Sequence, residues 1–385
     1  MNIFILSLGS GHPDSAAPAI RQALLARGMN ELGHNIDFFI LSNHKPGKTF
    51  KTYFGVNYHF VNVHERVGRF NKLFYYFNAI FKTRKELYRR IKDNKIDLII
   101  IYPNDIFIYL FIHKLAIRHK VKSLHERTEL PYTVLPKTLR HKLEYYLYLQ
   151  FILPKYTAVS VINDKLDLFI KKYNINTKKI LSVVDPIFFK EYRKTEFDFP
   201  YIAYCGKMTG NKDGVPDLID AFNLMHKKFP ELRLVLIGDN SNQEELAEIH
   251  QKIKNFSLNE RVIFTGIVER SRMPALLTKA KILAVAKPNN EQNSGNFPIK
   301  LGEYLATGVP VVVTKVGEIP QFITDGYNGF LVEPDSPEEF GKALEHVMLN
   351  KKESDNVGIK GKQLALEMFN YKKQAKELIN FIEQN

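Results

Sequence analysis

Lys300 and Glu303 lie three residues apart in NFPIKLGEYL, residues 296–305, which would put a cation and a carboxylate on one helical turn. Leu301, Tyr304 and Leu305 recur at the spacing of a buried helical face, so the charged pair falls on a different one. Pro298 suits the first helical position, Gly308 suits the stop, and Pro310 forbids continuation, which leaves Val311, Val312 and Val313 as a strand buried on both faces. A charged pair at the start of such a helix, where free N–H groups add positive potential, suits an anion such as a diphosphate. The competing reading is a solvated helix face. A second polar run, His125-Glu126-Arg127-Thr128-Glu129, follows an expected strand from Val121 to Leu124. A histidine and two carboxylates at a strand end suit acid/base or acceptor chemistry, or form a hydrogen-bonded structural cluster.

The twelve histidines include no HExxH or other close metal pair, and the single cysteine, Cys205, lies in the apolar run YIAYCG. These features predict no structural metal, no intramolecular disulfide and a thiol that is buried rather than reactive. A net charge of +14 implies an anionic partner, whether nucleic acid, an anionic membrane surface or a phosphate-bearing substrate. The basic residues are dispersed, with no RNA-binding or helix-turn-helix signature, so nucleic acid is set aside. Two segments, 66–92 and 137–156, mix aromatic and basic residues at helical spacing. They read as core-facing helices with basic outer faces, or as a surface that rests on anionic lipid headgroups. No apolar run reaches transmembrane length, and the first residues are of strand length with no basic leader. The expectation is therefore no signal peptide and a cytoplasmic protein, peripheral at most on the inner face of the membrane.

The positioning elements follow from length and periodicity. A chain of 385 residues is long for one core, so two domains are expected. Ile3 to Leu8 reads as a strand leading into Gly9-Ser10-Gly11-His12-Pro13 and a helix over 15–32, a partial dinucleotide fingerprint without its third glycine. Strands over 36–41, 97–102, 121–124, 158–162 and 180–184 alternate with helices. After an aperiodic linker the pattern restarts with strands over 201–205, 232–237, 261–264, 282–286, 311–313 and 329–332. The expected boundaries are a first domain at 1–186, a linker at 187–200, a second domain at 201–350 and a polar helical tail at 351–385. The fold class is α/β, with two doubly wound Rossmann-like sheets whose ligands bind beyond the carboxyl ends of the strands. Gly206, Gly238 and Gly266 end strands of the second domain, where a missing side chain admits a ligand or satisfies a turn.

From Tyr201 to Leu344 the blocks YCGKMTGNKDGVPDLIDAF, LRLVLIGD, RVIFTG and FPIKLGEYLATGVPVVVTKVGEIPQFITDGYNGFLVEPDSPEEF resemble the retaining GT-B nucleotide-sugar glycosyltransferases of family four, the group 1 type. In the first half the resemblance rests on the glycine-rich first loop, the helix ending in Gly33-His34, and His125. It implies two domains facing across a cleft, the first binding acceptor and the second a nucleotide sugar, most often UDP- or GDP-linked. It also implies metal-independent transfer of a hexosyl group with retention, no cofactor besides the donor, and a glycan or lipid-linked acceptor in cell-surface polysaccharide or glycolipid synthesis. By the same resemblance Lys207 and Lys212 are catalytic cations on the diphosphate, and Glu303 takes the ribose hydroxyls. Lys300, Asn296, Phe297 and Pro298 lie near the donor phosphates and sugar, Gly11 and Gly206 allow close approach, and Ile267 begins the nucleobase loop. His125 contacts donor sugar or acceptor, and Glu129 lies on the acceptor side. The family's second glutamate, eight residues before Glu303, is replaced by Gly295. That departure motivates one alternative, a non-catalytic sugar-nucleotide-binding or partner subunit; a GT-B-like sugar-nucleotide epimerase is another.

Overall fold

Leu98–Ile101 and Val311–Thr314 are buried at every position, a pattern that suits strands covered on both faces and explains their unbroken aliphatic sequence. Such strands form two sheets in a computed structural model that describes residues 1–8, 17–41, 52–61, 69–129, 138–189, 196–239, 242–294 and 299–385. Gly11, Gly295, Asn296, Phe297 and Pro298 lie outside the described residues. The chain divides into two units, one of Met1–Val183 with Tyr371–Asn385 and the other of Val184–Asn370.

The first unit contains β1 (Asn2–Leu8), β2 (Asn35–Leu41), β3 (Thr52–Tyr53), β4 (Val56–Val61), β5 (Leu98–Ile101), β6 (Lys122–Arg127), β7 (Ala158–Val161) and β8 (Thr177–Lys179). Their order is β3-β4-β2-β1-β5-β6-β7-β8, parallel except for the antiparallel edge pair β3–β4. Alternate residues of β1 enter different cores. Phe4 and Leu6 pack with the Arg69–Lys92 helix, whereas Ile3 and Ile5 pack with the Ala17–Glu31 and Tyr371–Glu383 helices. The latter two helices approach so closely that a β-carbon on Gly28 would lie 2.6 Å from Ala375 Cβ.

Two strand expectations are corrected. Strand β6 runs to Arg127, so His125 and Glu126 lie within it rather than beyond its end. Polar residues are tolerated there because Arg21 Nε donates to Glu126 Oε1 at 2.6 Å and the Ile101 carbonyl lies 2.7 Å from His125 Nδ1. Residues 180–184 are buried but form no strand; β8 precedes them. Side chains take up part of their backbone bonding: Arg21 donates to the carbonyls of Ile180 and Leu181, and the Leu181 amide donates to Gln374 Oε1 at 2.8 Å. The segment expected as one tail is two helices, Lys351–Met368 in the second unit and Tyr371–Glu383 in the first. Their buried faces, Val357 with Ala365 and Leu378 with Ile382, join separate contact sets.

The second unit contains β9 (Tyr201–Cys205), β10 (Arg233–Ile237), β11 (Val262–Gly266), β12 (Ile282–Val285), β13 (Val311–Thr314) and β14 (Phe330–Val332). All pair in parallel in the order β11-β10-β9-β12-β13-β14. The first strand of the unit therefore lies beside its fourth, and the chain order reverses between β9 and β12. In open α/β sheets that switch point is where ligands bind, beyond the carboxyl ends.

Candidate functional site

The segments that follow β9 and β12 carry much of the site's charge. At the end of β9, Tyr304 Oη accepts the Cys205 amide hydrogen at 2.5 Å, which ties the strand to the Ile299–Thr307 helix. Burial pushes the Cys205 thiol up to about 12, as expected of an unreactive cysteine. Gly206 follows with φ +150°. A β-carbon here would overlap the Lys300 ammonium group and the Tyr204 hydroxyl, so glycine is required by both space and conformation. The chain continues through exposed Lys207 to a short helix, Gly210–Asp213, that carries half-buried Lys212. Gly214 then takes φ +66° against the Ala286 carbonyl, which locks this turn onto the end of β12.

The Ile299–Thr307 helix buries Leu301, Tyr304 and Leu305, as its spacing predicts. Lys300 and Glu303 are neither core nor fully solvated, and both have partners. Lys300 Nζ donates to Asp213 Oδ1 at 2.7 Å and to Tyr204 Oη at 2.9 Å, and lies 4.5 Å from the Tyr204 ring centre. Tyr204 Oη in turn donates to the Lys207 carbonyl at 2.5 Å. Burial opposes ionisation of Asp213, but Lys300 and Lys287, with the hydroxyl of Thr209, hold its carboxyl below the ordinary range. Glu303 Oε1 accepts from Arg270 Nη1 at 3.1 Å, and the Arg270 guanidinium lies over the Phe188 ring at 4.4 Å. Ile267, just after Gly266, is 82% exposed on the loop that leads to Arg270.

Lys287, Asp213, Arg270 and Asn293 escaped sequence reasoning. The signal for Lys287 was its position just past a buried strand, where ligand-facing residues belong. Its ammonium group is buried and donates to the Lys212 carbonyl at 2.7 Å and to Asn293 Oδ1 at 3.0 Å. The second unit thus brings together Gly206, Lys207, Lys212 and Lys300, with Glu303 one helical turn further on.

His125 and Glu129 lie in the first unit. His125 is fully buried, with its ring centre 4.8 Å from that of Tyr156, and burial with nearby Arg127 lowers its pKa well below the usual value. Its Nε2 has no hydrogen-bond partner among the described residues. Glu126 is committed to Arg21, a buried ion pair that serves the fold. Among the described residues no cluster of three or more His, Cys, Asp or Glu suits a metal ion, and no helix is long and apolar enough to cross a membrane.

Residues 199–350 match the family model described as Glycosyl transferases group 1. The chain is 23% identical over 69% of its length to the uncharacterized glycosyltransferase MJ1069 of Methanocaldococcus jannaschii, spanning 64% of that protein. It is 24% identical over 57% of its length to mannosylfructose-phosphate synthase of Agrobacterium fabrum, spanning 51% of it. It therefore spans between half and two thirds of these curated relatives. Anabaena HepE, solved in complex with UDP-glucose, has a TM-score of 0.73 at 15% identity, covering 100% of this chain and 99% of that one. That likeness, with the two parallel-dominant sheets, shows a GT-B fold.

Proposed function

Because residues 199–350 belong to the Glycosyl transferases group 1 family, we propose that this chain moves a sugar from a nucleotide diphosphate donor to an acceptor hydroxyl with retention of configuration. The single observation that carries the reading is the cation cluster at the β9/β12 switch point, beside a carboxylate on the same helix as Lys300. A diphosphate suits Lys207, Lys212 and Lys300, whose positive charge stabilises the leaving group as the bond from the anomeric carbon to phosphate breaks. Glu303 suits the vicinal ribose hydroxyls, since one carboxylate accepts from both while Arg270 holds it in place. The acceptor oxygen bonds to the anomeric carbon on the face the diphosphate leaves, and its proton passes to the departing phosphate. Fixed ammonium groups perform the charge stabilisation in this route without a metal. That HepE is described with UDP-glucose favours a UDP-linked donor, with a GDP-linked one next.

The first unit is assigned the acceptor, with His125 Nε2 and Glu129 as its contacts. Its outer helices favour an acceptor displayed at an anionic membrane, a lipid-linked glycan on the cytoplasmic face. Phe74 and Phe81 on the Arg69–Lys92 helix are 67% and 50% exposed, and this helix carries exposed Lys82, Lys85 and Arg89. The test is incubation with UDP- and GDP-sugars plus candidate glycan or lipid-linked acceptors, with the anomeric configuration of the product read by NMR. Retention is expected, and inversion would contradict the mechanism. Conversion of the donor without acceptor would favour an epimerase. Donor binding without any turnover would favour a binding subunit, the reading motivated by Gly295.

A further inference from the structure

Lys287 lies just past β12 with its residue 2% exposed, and it joins three pieces of the second unit. Its ammonium group donates to the Lys212 carbonyl and to Asn293 Oδ1, and its own carbonyl accepts from Thr314 Oγ1 at 2.7 Å. Asn293 is fully buried and donates through Nδ2 to the carbonyls of Pro288 at 2.9 Å and Asn211 at 3.3 Å. Asn290 Nδ2 also donates to the Asn211 carbonyl, at 2.6 Å. The turn bearing Lys212 and Asp213 is therefore gripped by two consecutive carbonyls from the β12 side. A buried glutamine could make such bonds; an ammonium group adds charge in a place where charge is costly.

We propose that Lys287 is a positioning residue of the donor site, holding the Gly210–Asp213 turn in place and offering a buried charge that a bound diphosphate completes, so that donor binding draws a proton onto it. The inference rests on the nucleotide-sugar reading of this site. The charged groups that face Lys287 are Lys212 and Asp213 from the turn and Lys300 from the Ile299–Thr307 helix; Asn293 from the Glu291–Ser294 helix is neutral. Burial lowers the Lys287 pKa to about 7, Asp213 opposes that shift, and Lys300 and Lys212 add to it. Near neutral pH the group is thus divided between its two forms, and two phosphate charges brought close favour the ammonium.

The experiment is calorimetric titration of the full chain with UDP-glucose and, separately, GDP-mannose, in two buffers of different ionisation enthalpy at pH 8 and at pH 6. Neither sugar nucleotide carries a group that titrates in this range, so a difference in heat between buffers reports protons exchanged by the protein. The expected result is uptake of most of one proton at pH 8 and little at pH 6, with affinity falling several-fold from pH 7 to pH 8.5. Lys287→Met should bind more weakly with no buffer dependence, and Lys287→Arg should restore affinity over Met without proton uptake. Binding by the wild type with no proton uptake at pH 8 overturns the inference, as does a Lys287→Met protein that keeps the uptake. The wild-type result decides even if the Met variant fails to fold. Absence of binding by either sugar nucleotide overturns the donor reading, and this inference with it.

Discussion

Asp213 lies between two ammonium groups, and its position makes the charge balance of the site testable one residue at a time. Replacing Asp213 with Asn leaves Lys300 and Lys287 without their counter-ion and should lower stability by about 3–5 kcal/mol, the cost of breaking a buried pair. Because the folded carboxyl titrates lower than the unfolded one, this deficit is full above about pH 4 and closes as the pH falls through the lower folded value. Urea unfolding at pH 7 and pH 3 measures the closure. Lys287 has the opposite dependence. The unfolded chain binds the proton more tightly between about pH 7 and the ordinary lysine value, so wild-type stability should rise relative to Lys287→Met across that window. Glu303→Ala should weaken donor binding at least tenfold, about 1.5–3 kcal/mol for lost bonds to a charged acceptor. The Lys300/Glu303 pair was legible because both members sit on one helical turn. Their partners, Asp213 and Arg270, come from other segments of the chain, and only the packed sheet brings them near.

Helices and strands were legible where one physical requirement dominated. All six strands of the second unit follow from aliphatic runs ending in glycine or a polar turn, and the observed bounds differ from expectation by one or two residues. The failures in the first unit have a common cause: β6 carries polar residues whose partners lie far away in sequence, and 180–184 bonds to side chains instead of a ladder. The two aromatic-basic segments do cover the core, yet they also keep apolar residues outside. Phe74, Phe81 and Tyr88 recur every seven residues on the exposed side of the Arg69–Lys92 helix, with Lys85 and Lys92 close to the same line. The Phe81 ring centre lies 5.2 Å from that of Phe111, and the Ile106–Ile108 and Lys114–Arg118 segments on either side of Phe111 expose Phe107, Lys114 and Ile117. A protein bound through this face should sediment with phosphatidylglycerol vesicles at low salt and not with phosphatidylcholine. Lys82→Glu/Lys85→Glu should weaken sedimentation by an order of magnitude or more, at about 1 kcal/mol per cation. Equal sedimentation with both lipids would sink the electrostatic part of the reading. At the buried side of the same unit, Gly28→Leu should cost about 1–3 kcal/mol by overpacking against Ala375, read as a lower unfolding midpoint.

The whole chain folds as two units, and its last helix belongs to the first of them. Composition and length suggested two domains, and alternation of strands and helices suggested their class, but no local pattern distinguishes a helix that stays with its neighbours from one that returns to an earlier unit. Leu378 and Ile382 are fully buried against the first unit's core, so deletion of 371–385 should lower that unit's unfolding midpoint while nucleotide-sugar binding by the second persists. Scanning calorimetry with and without UDP-glucose separates the two effects. The most direct test of the central claim is donor binding itself: calorimetric titration of the wild type, Lys212→Ala and Glu303→Ala with UDP-glucose and GDP-mannose. The switch-point assignment predicts that at least one sugar nucleotide binds the wild type and that each substitution weakens it tenfold or more, with the fold intact by circular dichroism. Unchanged affinity in both folded variants would contradict it and move the donor site elsewhere in the chain.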